Sequence, residues 1–259
     1  MLPKARKRFG QHFLTDRHYI DRIVRAIAPQ RGDTMVEIGP GPGAITAPLL
    51  AKLDHLHAVE IDRDLAAALR ARFGPAQFTL HAADVLEFDF GILGGNFRAV
   101  GNLPYNISTP FLFHLAGFAG QLIDGTFMLQ KEVVDRMVAA PDTEAFGRLS
   151  VMLQYRFAMQ RLFDVPPGAF TPPPKVDSAI VHMTPLPETR RRAVSDARFA
   201  AVVTAGFGQR RKTLGNTLRS FLSAQHIAAL GIDPRRRAET LQLEEFITLA
   251  DASMTTVTN

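Results

Sequence analysis

The sequence contains no cysteine and no tryptophan. Without cysteine there are no disulfides, no thiolate metal sites and no cysteine nucleophiles. No stretch approaches the roughly 18 uninterrupted apolar residues that a membrane-spanning helix needs. The start, Met1-Leu2-Pro3-Lys4-Ala5-Arg6-Lys7-Arg8, is basic, but Phe9-Gly10-Gln11-His12 stands where a signal peptide carries its apolar core. It is also too short and too poor in serine for a usual transit peptide. The expectation is a cytoplasmic protein with no membrane association. The eight histidines show no ligand spacing such as HxxxH with a third ligand close by, so no metal is expected. A composition 46% hydrophobic and 21% charged excludes general disorder.

The formal charge of +5 on 259 residues is unevenly spread. Residues 1–8 hold four basic side chains and no acid, and residues 188–239 hold 11 basic and four acidic ones. Residues 9–187 are mildly acidic, with 15 basic and 18 acidic side chains, and residues 240–259 hold three acids and no Lys or Arg. A basic run such as Arg235-Arg236-Arg237 is, taken alone, a solvated surface. Two basic segments flanking a neutral body point instead to phosphate contacts, and so to a nucleic-acid partner.

From about residue 17 to 185 short apolar runs alternate with helical periodicity. Strands are predicted over 34–38, 57–61, 78–80, 97–100 and 126–129, and helices over 44–53, 63–72, from about Thr109, and near 133–139. Residues 149–163 and 179–183 supply a further helix and antiparallel edge strands. This alternation means βαβ units: an α/β fold with a mostly parallel sheet and helices on both faces. Residues 166–174, Pro166-Pro167-Gly168-Ala169-Phe170-Thr171-Pro172-Pro173-Pro174, read as a stiff loop. Pro185-Leu186-Pro187 marks a domain boundary, dividing the chain into 1–187 and a small helical domain over 188–259, with helices over 199–207, 213–222 and from Glu239 onward.

Glu37-Ile38-Gly39-Pro40-Gly41-Pro42-Gly43 ends the first of these strands and opens a helix. A GxGxG turn alone is a weak signal, shared by plain strand–helix turns and dinucleotide sites. Here two spacer residues are proline, with no N–H to offer a pyrophosphate. Glu37 adds a carboxylate that repels phosphate and attracts a cation. Glu60 closes the next strand, where an acid can accept from both ribose hydroxyls. Asp84, after the third strand, can accept from an adenine amine, although Asp is also common as a turn cap. An adenosine-bearing, cationic, phosphate-free ligand fits all of these features, and S-adenosylmethionine has that description.

Gly101-Asn102-Leu103-Pro104-Tyr105-Asn106 follows the fourth strand, at the same edge of the sheet. The Asn102 side-chain oxygen and the Leu103 or Pro104 backbone carbonyl can both accept from one exocyclic amine, and Tyr105 offers a face for a base. An adenine N6 is a poor nucleophile because its lone pair is delocalised, so positioning and carbonyl acceptors would do the catalysis. With no cysteine, activation of a ring carbon by a thiolate is excluded, which leaves direct attack by an amine.

These segments, with Arg6-Lys7-Arg8-Phe9-Gly10-Gln11, Glu60-Ile61-Asp62, Met128-Leu129-Gln130-Lys131-Glu132-Val133, Phe170-Thr171-Pro172-Pro173-Pro174-Lys175-Val176-Asp177-Ser178 and Gln209-Arg210-Arg211-Lys212-Thr213, run in order through most of the chain. Together they resemble the ribosomal RNA adenine dimethyltransferases, most closely the bacterial small-subunit branch. The glycine motif is common to many methyltransferases; the Asn-Leu-Pro-Tyr and Phe-Thr-Pro-Pro-Pro-Lys-Val-Asp-Ser segments are far more specific. The resemblance implies a Rossmann-like S-adenosylmethionine-dependent methyltransferase domain and dimethylation of N6 on two adjacent adenines near the 3′ end of 16S rRNA. The substrate would be the small ribosomal subunit or its precursor, with a part in subunit biogenesis. The resemblance places cofactor contacts on His12, Leu14, Gly39, Glu60, Asp84 and Asn102, and catalysis on Asn102, Leu103, Pro104 and Tyr105. Tyr105 and Phe170 would stack on the target base, while Arg6, Lys7, Arg8, Arg210, Arg211 and Lys212 would meet rRNA phosphates. Position 12 departs from the family pattern, which usually has Asn where this chain has His12. A monomer is expected. Two other readings remain at this point: an adenine methyltransferase acting on DNA, and a non-catalytic assembly or transcription factor that kept the fold.

Overall fold

The computed structural model describes residues 12–187, 189–190 and 192–255. Arg6, Lys7 and Arg8 lie outside the described residues. The chain divides into two compact units.

The first unit comprises the residues up to Val134 together with Ala158–Pro185. Its chain order begins β1 (Phe13–Leu14), α1 (Arg17–Ile27), β2 (Met35–Ile38), α2 (Thr46–Leu50), β3 (Leu56–Val59), α3 (Arg63–Arg72) and β4 (Phe78–His81). It continues with β5 (Phe97–Asn102), α4 (Ser108–Ala116), β6 (Leu122–Gln130), α5 (Lys131–Met137), α6 (Arg148–Gln154), β7 (Phe157–Val165), β8 (Phe170–Thr171) and β9 (Ser178–Pro185); α6 and the ends of α5 and β7 fall in the second unit. The main sheet has the order β4-β3-β2-β5-β6-β9-β7. β4 through β6 are parallel neighbours, and β9 joins β6 antiparallel. This is the Rossmann-like arrangement that alternating strand and helix periodicities predict. β2 is buried along its whole length, as a central parallel strand covered on both faces must be. α3 spans the ten residues predicted, capped by the Asp62 side chain on the Asp64 N–H. α2 is shorter than the predicted 44–53: it starts at Thr46, after the glycine turn, and ends at Leu50. Arg98, nearly buried, ties the lower edge of the sheet by bonds to Asp33 at 2.7 Å, Asp124 at 2.9 Å and the Ile27 carbonyl at 2.7 Å.

The stretch 166–174 holds more order than a plain loop. A single 3₁₀ turn over Pro167–Ala169 leads into β8, which pairs antiparallel with β1 in a small separate sheet. Nothing in local periodicity marks this pair, because its two strands lie more than 150 residues apart in the chain.

The second unit takes in Asp135–Phe157 as well as the residues from Leu186 onward. The division is therefore not a single cut at 187, and the reason is packing. Phe146, Val151 and Tyr155 share one apolar cluster with Phe199, Val202, Leu249 and Phe246. α7 (Asp196–Phe207), α8 (Leu214–Thr217), α9 (Ala224–Ala229) and α10 (Leu243–Thr255) build the rest. The helix predicted over 213–222 stops at Thr217, and a short one, capped by Ser223, follows it. Among the described residues no helix is long and apolar enough to cross a membrane.

β2 and β5 lie side by side with Ile38 opposite Gly101. A Cβ at Gly101 would stand 2.6 Å from the Ile38 carbonyl oxygen, so any side chain there must push two central strands apart. Gly101→Ala is expected to lower unfolding stability by about 1–3 kcal/mol, the usual cost of overpacking a core. Urea unfolding followed by circular dichroism measures it; a midpoint equal to wild type would refute the close approach.

Candidate active site

The strand order reverses between β2 and β5. Ligands of such sheets sit in the crevice outside the strand carboxyl ends at that reversal. Both sequence-predicted loops leave the sheet there, and a Cβ on Gly39 would lie 3.8 Å from the Asn102 carbonyl oxygen. A cavity of about 300 Å³ opens at this point. Its lining includes His12, Leu14, Gly39, Glu60, Asp84, Asn102, Leu103, Pro104, Tyr105 and Phe170. Every cofactor, reaction-loop and stacking residue singled out in the sequence thus meets at one place.

The glycine loop is built for close approach and not for phosphate. Gly39 and Gly41 have φ of 61° and 57°, the left-handed region that side chains disfavour. The N–H groups of its three glycines are spent internally: Gly39 on the Val59 carbonyl, Gly41 on the Glu60 carboxylate and Gly43 on the Pro40 carbonyl. Pro40 and Pro42 have none to give. The three glycines therefore have no free N–H to turn toward a pyrophosphate.

Acids take that place. Glu37 sits in the fully buried β2 and lines the cavity. Its Oε2 accepts from Thr46 Oγ1 at 2.7 Å, while Oε1 is buried with no hydrogen-bond partner among the described residues. Burial pushes its pKa from 4.5 up to about 8, the Thr46 bond opposes this, and the charge of Glu60 adds to the rise. Glu60 ties the loop after β3 to the glycine loop: Oε1 accepts from the Asp62 N–H at 2.9 Å and Oε2 from the Gly41 N–H at 3.2 Å. Burial raises its pKa too, against the pull of those backbone bonds. Asp84 does the turn-capping job common for Asp, with Oδ1 accepting from the Leu86 N–H at 2.9 Å, and it lines the cavity as well.

In the reaction loop, Asn102 Nδ2 donates to the His12 carbonyl at 3.3 Å, which fixes the amide's orientation and leaves Oδ1 as an acceptor. The Pro104 carbonyl already accepts from Ser108 Oγ at 3.0 Å and the Ile107 N–H at 3.1 Å. Of the two carbonyls considered from the sequence, Leu103's is therefore the one with capacity. The half-buried Tyr105 is anchored by a 3.1 Å bond to Ser178 Oγ, and burial raises its pKa, so the phenol stays neutral and its ring stays put. Phe170 is buried among Leu14 and Ile180 while also lining the cavity.

Sequence reasoning missed several members. Ile61 lines the cavity although half exposed, a large apolar side chain directly after Glu60, which is the signal the sequence offers. Thr46 and Ser108 are common residue types, and Ser178 is the last residue of the proline-rich segment; they act by fixing Glu37, Pro104 and Tyr105. Within the helical unit, Arg210 is held by the Glu144 carbonyl at 2.7 Å and by Glu239 at 3.5 Å. Arg211 and Lys212 are exposed.

A neutral Glu37 in the folded protein and an ionised one in the unfolded chain make stability depend on pH. The folded pKa is raised, so this contribution is complete below 4.5 and is lost as pH rises through about 8. Glu37→Gln should remove that component, so the melting temperature of the ligand-free protein should fall less between those pH values than in wild type. Parallel curves for the two proteins would refute the buried neutral acid.

The family model for ribosomal RNA adenine dimethylase matches residues 2–254. The chain is 60% identical over 248 residues to the ribosomal RNA small subunit methyltransferase A of Aromatoleum aromaticum, covering 96% of this chain and 94% of that one. It is 57% identical over 252 residues to the protein of the same name from Laribacter hongkongensis, covering 96% and 95%. Among solved structures, a dimethyladenosine transferase from Plasmodium falciparum matches with a TM-score of 0.80 at 22% identity, covering 92% of this chain and 96% of that one. The 23S rRNA methyltransferase ErmE matches at 0.72 and 24%, covering 93% and 98%. At those identities the structures speak for the fold alone; with the family match over nearly its full length, the chain belongs to the ribosomal RNA adenine dimethylase family.

Proposed function

We propose that this protein dimethylates N6 of two adjacent adenines in a loop near the 3′ end of 16S rRNA, using S-adenosylmethionine. The observation that carries the chemistry is a pair of successive residues on the cavity wall with acceptors to offer: Asn102, whose amide is oriented by the His12 carbonyl, and Leu103. Two acceptors side by side fit the two N–H bonds of one exocyclic amine.

The residues present fit the cofactor. The spent N–H groups of the glycine loop argue against a phosphate ligand, and the partnerless buried Oε1 of Glu37 suits a cation. Glu60 would take the ribose hydroxyls and Asp84 the adenine amine. Leu14, Gly39 and Ile61 would close around the rest, all of them on the cavity wall. When bound, S-adenosylmethionine supplies an electrophilic methyl on a cationic sulfur. The chain's own part is positioning. Asn102 and Leu103 hold the amine and take hydrogen bonds that strengthen as its N–H groups become acidic. Tyr105 holds one face of the base, and Phe170, beside it on the cavity wall, suits the other. No strong base is required, because the amine need not lose a proton before it reacts. We further propose a monomer working in the cytoplasm, a location that an rRNA substrate supports.

The direct test is methylation of small subunits from an unmodified strain, with sites mapped by reverse-transcriptase stops; methyl transfer to DNA but not to these particles would overturn the reading. Asn102→Ala is expected to lower kcat by about 100-fold or more, the scale of losing one oriented polar group. Calorimetric affinity for S-adenosylmethionine should be largely spared, and near-normal turnover would refute the amine-holding role.

For RNA contact we propose Arg211 and Lys212 as the free cations of their run, since Arg210 is engaged within its own unit. Neutralising Arg211 and Lys212 together should reduce the slope of log affinity against log salt by about 1–2. Arg210→Ala should change it less; a slope unchanged in the double variant would return both residues to ordinary solvated surface.

A further inference from the structure

His12 sits where three parts of the site meet, and its surroundings give it a task of its own. Its Nδ1 lies 2.8 Å from the Pro172 carbonyl oxygen. A carbonyl only accepts, so Nδ1 carries the proton and donates. Its ring stacks on Tyr105, with centroids 5.9 Å apart and planes 29° from parallel. Its backbone carbonyl receives the Asn102 amide. One residue therefore touches the amine-holding Asn102, the base-stacking Tyr105 and the proline loop that carries Phe170. Around it, β1 pairs with β8, and Thr15 reinforces the pair through its N–H to the Ala169 carbonyl at 2.8 Å.

The spacing decides what the ring can do. A base held between two parallel rings needs about 7 Å, twice the 3.4 Å rise of stacked bases. At 5.9 Å the gap between His12 and Tyr105 is too narrow. The target base takes another side of Tyr105, and His12 is the support behind it.

We propose that the His12 side chain is a positioning residue for the target base: its ring backs Tyr105 and its Nδ1–H pins the Phe170 loop, so that together they set the slot the adenine enters. This rests on the proposed base-stacking role of Tyr105 and Phe170. It moves the side chain from the cofactor's side of the site to the RNA's. An Asn at this position could donate to the same carbonyl but would have no ring to place behind Tyr105.

The test uses the full-length protein, small subunits from an unmodified strain and S-adenosylmethionine. His12→Ala removes ring and donor, His12→Phe keeps a ring, and His12→Asn keeps a donor; all three retain the backbone carbonyl that orients Asn102. For His12→Ala the expected result is a loss of about tenfold in kcat/KM for the particles, with the calorimetric Kd for S-adenosylmethionine within about twofold of wild type. His12→Phe and His12→Asn should each recover part of the loss. If His12→Ala folds poorly, the Phe and Asn variants carry the test by the same split between particle kinetics and cofactor affinity. A cofactor Kd that weakens in step with kcat/KM would make His12 a cofactor contact and overturn the proposal, as would wild-type kinetics in all three variants. Failure of the underlying reading is distinguishable, because then Tyr105→Ala and Phe170→Ala would themselves keep wild-type kcat/KM for the particles.

Discussion

The close parallel contact between β2 and β5 is the constraint on which the site depends. Without a side chain at Gly101, the two central strands lie near enough for their carboxyl-terminal loops to share one crevice. Everything chemical follows from that adjacency. The loop after β2 brings a backbone that can be approached closely, and the loop after β5 brings oriented acceptors, within a few ångströms of each other. The helices, the edge strands and the Arg98 tie serve to keep that pair in register.

The electrostatics of the crevice sort ligands by charge. The glycine loop resembles a phosphate-binding turn in outline, yet its donors are consumed by Val59, Pro40 and Glu60. Glu37 and Glu60 both lie in surroundings that resist ionisation. A buried acid of this kind is poised: a cation beside it restores the charge that burial suppresses, whereas an anion gains nothing. Discrimination against nucleotide phosphates thus comes from how the loop spends its own hydrogen bonds as much as from the presence of acids.

Much of this was legible in the sequence because it rests on local signals. α3 was read to the residue, since a capping Asp, good helix formers and a terminal Phe bracket it. The glycine loop, Glu60, Asp84 and the Asn102 loop were readable because each follows a strand of the same sheet, and strand ends collect at one edge. Non-local features were not readable. The β1–β8 pair, the transfer of Asp135–Phe157 to the helical unit and the capture of Arg210 by Glu144 and Glu239 all join segments far apart in the chain. The choice between Leu103 and Pro104 likewise needed Ser108 and Ile107 in place. α9 escaped because six residues are too few to show a helical period.

The β1–β8 pair has one consequence for how the protein comes to be active. Its strands join parts of the chain about 155 residues apart, among the longest loops the first unit closes. Closing so long a loop costs chain entropy, a term that grows only slowly with length and that the burial of Leu14 and Phe170 in the core of the unit offsets. The segment that carries Phe170 and the one that carries His12 are thereby joined, although the sheet strands β2 to β6 all lie between them in the chain. A chain made in order therefore completes this corner of the cavity only after the strands that form its floor have been made.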